Sequence, residues 1–206
     1  MLISDTNKFI FIHVPKTAGT SMRVVLQPYA TIPQKSANHK YAQVSTAFRN
    51  DHLGAQEITE RIRPQVWDTC YKFAFVRNPW ALMLSHCLYF RQTESSSELH
   101  VRAKTDDFNS YIAWYFSRSV AEAKFVNGFS EFIELDGLPA LDYVGKLENV
   151  REDFPTVLAK IGVANAVLPL KNATAHTAYK DYYNDTAKKI VEKTFEKHLH
   201  VFEYRF

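Results

Sequence analysis

A buried-type strand that runs straight into a cation, a glycine and three hydroxyls constrains this chain more than any other stretch. In "FIHVPKTAGTSM" the segment Lys8 to Val14 is apolar, with two β-branched isoleucines and several rings, and reads as a buried strand. Pro15 to Gly19 turns the chain, and Thr20 to Leu26 has helical spacing. A second strand–loop–helix unit starts at "KFAFVRNPWALMLSHCLYF". There Lys72 to Arg77 reads as the strand, Pro79 suits a first helical turn, and Trp80 to Phe90 continues as a mostly apolar helix. Tyr143 to Lys146 is a third strand. A helix follows it, capped by Asn149, kinked or restarted at Pro155 and stopped by Gly162.

Such alternation predicts an α/β fold: a P-loop-like three-layer arrangement with a mostly parallel central sheet flanked by helices. The length of 206 residues suits one domain spanning 1–206, and nothing in the composition marks a boundary. Gly54 to Arg63 reads as an amphipathic helix, Phe108 to Phe125 as a longer helical region, and Asp185 to His198 as a basic helix. Gln92 to Asp107, with three consecutive serines, reads as a mobile surface loop.

Composition excludes several classes. The net charge of +3 comes without a Lys/Arg block, which fits an anionic ligand and argues against nucleic acid. Cys70 and Cys87 make no metal-type pair and read as reduced, partly buried thiols. Neither a leader pattern nor an apolar membrane span is visible, so the expectation is a soluble cytoplasmic protein with no membrane partner in the chain as written, the alternative being a catalytic domain cut from a longer, anchored protein. The oligomeric state is left open.

In open α/β sheets ligands bind beyond the carboxyl ends of the strands, where the Lys16 loop and Arg77 both fall. A loop entering a helix N-terminus presents unpaired N–H groups that favour an anion. Lys16 adds a positive charge, Thr17, Thr20 and Ser21 add hydroxyls, and Gly19 permits close backbone approach. The glycine–lysine order differs from the G-x-x-x-x-G-K-[ST] loop of ATPases and kinases, since Lys16 precedes Gly19. A kinase also needs an acid to hold Mg²⁺, commonly at the end of a neighbouring strand, whereas "KFAFVR" ends in Arg77. A cation there points to a second anionic group on the ligand and to no required metal. Asn78, Ala81 and Ser85 step by three and four along the next helix, so Ser85 can join Arg77 on that group.

"HVPKTAGTS" followed by "FAFVRNPW", with a serine eight positions after the arginine, resembles the sulfotransferase superfamily, in particular its membrane-type, carbohydrate-modifying branch and bacterial relatives. The likeness extends more weakly to "YVGKLENVREDFPTVLAKIGV" and to the stretch from His176 to Phe206. The resemblance implies that Lys16, Thr17, Ala18, Gly19, Thr20 and Ser21 form the 5′-phosphosulfate loop for 3′-phosphoadenosine 5′-phosphosulfate (PAPS). It implies that Arg77 and Ser85 hold the 3′-phosphate. Where family members often carry Asp-Arg after the aromatic of "RNPW", this chain has Ala81 and Leu82.

The implied reaction moves a sulfo group from PAPS to a hydroxyl acceptor, with a carbohydrate expected, and leaves 3′-phosphoadenosine 5′-phosphate (PAP). By analogy with phosphoryl transfer it is an in-line displacement without metal, in which Lys16 meets the charge growing on the leaving phosphate. A histidine suits the general base. Of the eight, His13 reads as a packed strand residue, His86 points away from Ser85, and His198 and His200 read as surface residues. His52, in "NDHLGAQEITE" between the two phosphate motifs, is the candidate; relatives of this kind carry a histidine there. Glu57 could orient it or replace it, and His176 is a candidate for substrate binding. Two rivals stand beside this reading: a Mg-ATP-dependent P-loop kinase, and a non-catalytic PAP/PAPS-binding protein.

Overall fold

The computed structural model describes residues 1–31, 52–118, 124–163, 168–169 and 178–206. Its strands are β1 (Leu2–Ser4), β2 (Phe9–Ile12), β3 (Tyr71–Val76), β4 (Glu134–Leu135), β5 (Leu138–Pro139) and β6 (Tyr143–Lys146). The α-helices, in chain order, are α1 (Gly19–Leu26), α2 (Ala55–Thr59), α3 (Pro64–Thr69), α4 (Pro79–Gln92) and α5 (Glu98–Thr105). They continue with α6 (Phe108–Phe116), α7 (Ser130–Ile133), α8 (Val150–Lys160), α9 (Asp185–Thr194) and α10 (Glu196–Val201). The chain divides into two compact units, Met1–Val76 with Ser130–Asn172, and Arg77–Phe129 with Ala173–Phe206. No helix among the described residues is long and apolar enough to cross a membrane.

The first unit holds the mixed sheet, in the order β1-β2-β3-β6. β2, β3 and β6 run parallel, and β1 closes one edge antiparallel to β2. Every residue of β2 is buried, as expected of a parallel strand covered on both faces. Its period of two sends Phe9 and Phe11 to one face, where Phe73 and Phe75 of β3 join them in a core with Met22, Val25 and Leu26 of α1. Phe154, Val157 and Leu158 of α8, followed by Ile161, complete that core. Gly145 of β6 is fixed by the same packing: a Cβ there would lie 2.5 Å from the Phe75 ring. Helix α8 runs unbroken through Pro155, which forfeits one backbone bond while the buried face stays intact. A Schellman arrangement ends it. Gly162 adopts φ 69° and donates to Ala159, and Val163 donates to Leu158.

Lys72, buried within β3, has its ammonium met by the carbonyl oxygens of Cys70 at 2.8 Å and Trp67 at 3.2 Å, and by the Asp142 carboxylate at 2.9 Å. Its backbone N–H also donates to Asp142 at 2.7 Å. Burial alone would raise the Asp142 pKa, but the Lys72 hydrogen bonds and charge outweigh it and hold the carboxyl below its usual range. A depressed folded pKa gives stability that is present above the unfolded value of about 3.9 and is lost as pH falls through the folded value. Asp142→Asn should therefore cost about 1 kcal/mol near neutral pH, a modest figure because the carboxylate is partly solvated. In urea titrations the two proteins should converge in stability as the pH drops below about 4; parallel curves down to strong acid would contradict the pairing.

The second unit is helical. Helix α4 is buried along its whole first half, from Pro79 to Cys87, and Asn78 caps it by accepting from the N–H groups of Trp80 and Ala81. Aromatic rings fill the unit: Tyr111, Tyr115, Phe125, Phe129 and Phe195 are each almost fully buried. The stretch expected as a mobile loop from Gln92 to Asp107 instead contains α5. Glu98 stands in its first turn and Arg102 and Lys104 in its last, which suits the helix dipole, and Ala103 is buried. Arg91 ties α5 down by donating to the carbonyl oxygens of Ala103 and Asp106. The Gly54 to Arg63 helix is cut to α2, which ends at Thr59, and a separate helix starts at Pro64. Of the Phe108 to Phe125 region, the described residues form a helix over Phe108–Phe116, and 119–123 lie outside them. Cys70, in the first unit, and Cys87, in the second, are buried free thiols.

Candidate active site

The turn between β2 and α1 is left-handed twice, at Lys16 (φ 64°) and Ala18 (φ 59°). Turns of this kind gather successive backbone N–H groups on one concave side, a form suited to anions. The Thr17 hydroxyl, 1% exposed, donates to the Val14 carbonyl oxygen at 2.8 Å and staples the turn to the end of the strand. Helix α1 starts without a side-chain cap, since its N-cap residue is Ala18. Neither Thr20 nor Ser21 caps it. The Ala18 carbonyl accepts from the N–H groups of Ser21 and Met22. The groups at the mouth of the helix are thus those an anion would use. Lys16 is half-buried beside them, Thr20 is exposed and Ser21 is buried.

Gly19 is required here by a side chain. A Cβ on Gly19 would sit 1.8 Å from Cδ2 and 2.0 Å from Nε2 of His13. The His13 ring in turn stacks on Phe11, with centroids 5.9 Å apart, and meets the His52 ring at 4.4 Å. His52 Nδ1 lies 2.9 Å from the His13 carbonyl oxygen. A carbonyl only accepts, so Nδ1 carries the hydrogen and the lone pair of neutral His52 is on Nε2. Two residues separated by 39 positions in sequence are thereby joined beside the turn. Glu57 caps α2, accepting from the Gly54 N–H at 3.0 Å, and pairs with Arg61 at 3.7 Å. His176 lies outside the described residues.

Three other histidines divide by burial. His86 is a core residue: its Nδ1 is 3.1 Å from the Tyr111 hydroxyl, and the rings of Phe90 and Tyr115 pack on it. His198, expected at the surface, is only 2% exposed. Its ring lies against Phe129 and Phe202, and its Nδ1 accepts from the Phe129 N–H at 3.5 Å. The cause is helical spacing, which puts Phe195, His198 and Phe202 on one inward face. His200 is exposed.

In the second unit Arg77 is the residue after the last position of β3 and is half-buried. Asn78 is committed to structure, since beyond its cap role its Nδ2 donates to the Arg205 carbonyl oxygen at 3.1 Å. Ser85, 5% exposed, lies two turns into α4 on the helix face that Asn78 begins.

A family model described as the sulfotransferase family matches residues 1–205. The chain belongs to that family. This sulfotransferase is similar in fold to the solved structure "Crystal structure of mouse sulfotransferase SULT7A1 complexed with PAP", with a TM-score of 0.57 at 12% identity over 96% of this chain and 86% of that one. The mostly parallel sheet with flanking helices read from the sequence is thus a sulfotransferase fold. An uncharacterized protein of Archaeoglobus fulgidus is 25% identical over 128 residues, 62% of this sulfotransferase and 98% of its own chain. What sequence reasoning missed in this sulfotransferase is the bond between His13 and His52; no local pattern carries a contact across 39 positions.

Proposed function

We propose that this sulfotransferase moves a sulfo group from PAPS to a hydroxyl acceptor, with a carbohydrate as the acceptor class, without a metal. The observation that carries the reading is the doubly left-handed turn bearing Lys16 at the uncapped mouth of α1, with His52 fixed beside it. That set fits an anionic group: the backbone N–H groups of a left-handed turn, a helix dipole and the Lys16 ammonium.

In this reading the turn Lys16 to Ser21 holds the 5′-phosphosulfate, and Arg77 with Ser85 holds the 3′-phosphate. PAPS supplies an activated sulfo group on a phosphate leaving group. Lys16 meets the charge that grows on the bridging oxygen as the S–O bond breaks. His52 Nε2 takes the proton of the acceptor hydroxyl as the new O–S bond forms, and the Nδ1–H bond to the His13 carbonyl keeps the ring aimed and steadies the charge it gains. Arg77, a fixed cation, favours a ligand with a second phosphate.

Calorimetric titration with PAP and with ATP, each with and without Mg²⁺, tests the reading. Tight PAP binding that Mg²⁺ does not change, with weak ATP binding, is the expected result. A Mg²⁺-dependent preference for ATP would assign the turn to a kinase-type site. Tight PAP binding without transfer to any hydroxyl in an acceptor screen would make the chain a binding protein.

A further inference from the structure

His13 is 6% exposed at the end of β2, and its Nδ1 is buried with no hydrogen-bond partner among the described residues. Burial, then the neighbouring charges of His52, the Met1 amine and Arg23, push its pKa down to about 2. The ring is therefore held neutral near neutral pH. A phenylalanine or leucine would fill an apolar site without stranding a ring nitrogen, so packing alone gives no reason for histidine here. What the imidazole does touch is specific. One edge presses on Gly19, the first residue of α1, closely enough to forbid any Cβ there. Another meets the His52 ring at 4.4 Å with the planes tilted by 59°. The same residue's carbonyl accepts from His52 Nδ1.

We propose that His13 is a positioning residue: its ring, wedged between Gly19 and His52, holds the His52 imidazole in the plane that makes the bond to the His13 carbonyl. The base then keeps a fixed place relative to the anion-binding turn, because one side chain touches both. This rests on the reading of His52 as the base, and the contact itself can be tested apart from it.

His13→Ala removes the wedge and keeps the carbonyl. The primary readout is the His52 Nδ1–H signal in proton–nitrogen NMR of the protein without nucleotide. It is expected as a protected downfield resonance in the wild type and is expected to vanish or broaden in the variant. With PAPS and an acceptor, kcat should fall by about 10- to 100-fold, the range for a displaced catalytic group, while KM for PAPS stays near its wild-type value. His13→Asn, which keeps a small planar polar group but lacks the reach of the ring, should behave alike and covers the case in which the alanine variant fails to fold. Persistence of the Nδ1–H signal in either folded variant overturns the proposal, whatever kcat does. Loss of the signal with kcat unchanged supports the His13 contact and removes His52 as the base, a result that wild-type turnover in His52→Ala would match.

Discussion

Replacing Lys16 by alanine lowers the turnover of sulfo transfer by about 10²–10³-fold, the loss typical when one donor aimed at developing charge is removed. The backbone supports reading this as an electrostatic effect. Lys16 occupies a left-handed conformation, which alanine bears at the same steric cost as lysine, so the substitution leaves the turn's strain unchanged. The Thr17 staple to Val14 and the uncapped mouth of α1 do not involve the Lys16 side chain. PAP affinity should accordingly weaken by only about tenfold, because the backbone N–H groups of the turn and the helix dipole remain. Lys16→Arg should recover part of the rate, as it keeps the charge but not the compact ammonium. Steady-state kinetics beside PAP calorimetry read both quantities; wild-type turnover in Lys16→Ala removes this residue from the chemistry.

Gly19→Ala has an effect of similar size by another route. The new methyl would overlap the His13 ring at 1.8 Å, and that ring has Phe11 behind it and His52 beside it. Either the ring is expelled or α1 shifts at its first residue. The cost should be about 1–3 kcal/mol of stability, as for other overpacked sites. PAP binding should fall with it, because the displaced residue is part of the turn. The cause can be isolated. In a His13→Ala background the obstacle is gone, so Gly19→Ala should then cost little stability, and the two losses should be strongly non-additive. Additive losses in denaturant titrations would show that Gly19 is needed for some other reason.

That glycine also shows how far sequence reading went. Its presence in the loop is legible, and the sequence explains it by close approach of the backbone to a phosphate; the structure adds a neighbour six positions back, His13, that no residue count reveals. Strands β2 and β3, legible as apolar runs buried on both faces, fall within a residue or two of expectation, and the half-buried β6 spans the expected Tyr143 to Lys146. Helix α5 was not. Its polar composition matches a loop, and its stability comes from the Arg91 bonds and the buried Ala103, which are tertiary. His198 failed for the related reason that a position near the end of a sequence says nothing about burial, whereas its spacing from Phe195 and Phe202 does. In the site, the residue types were readable, and the pairing of His13 with His52 was not.

The two thiols have a practical consequence. Burial raises the pKa of Cys87 to about 11 and also raises that of Cys70, so almost no thiolate is present near neutral pH in the folded protein. The native chain should resist alkylating reagents and react only when a segment opens. Because Cys70 belongs to one compact unit and Cys87 to the other, each half carries its own chemical clock. Peptide-resolved alkylation over time would time the opening of the sheet unit and of the helical unit separately, in the unmodified sequence and without a fluorophore.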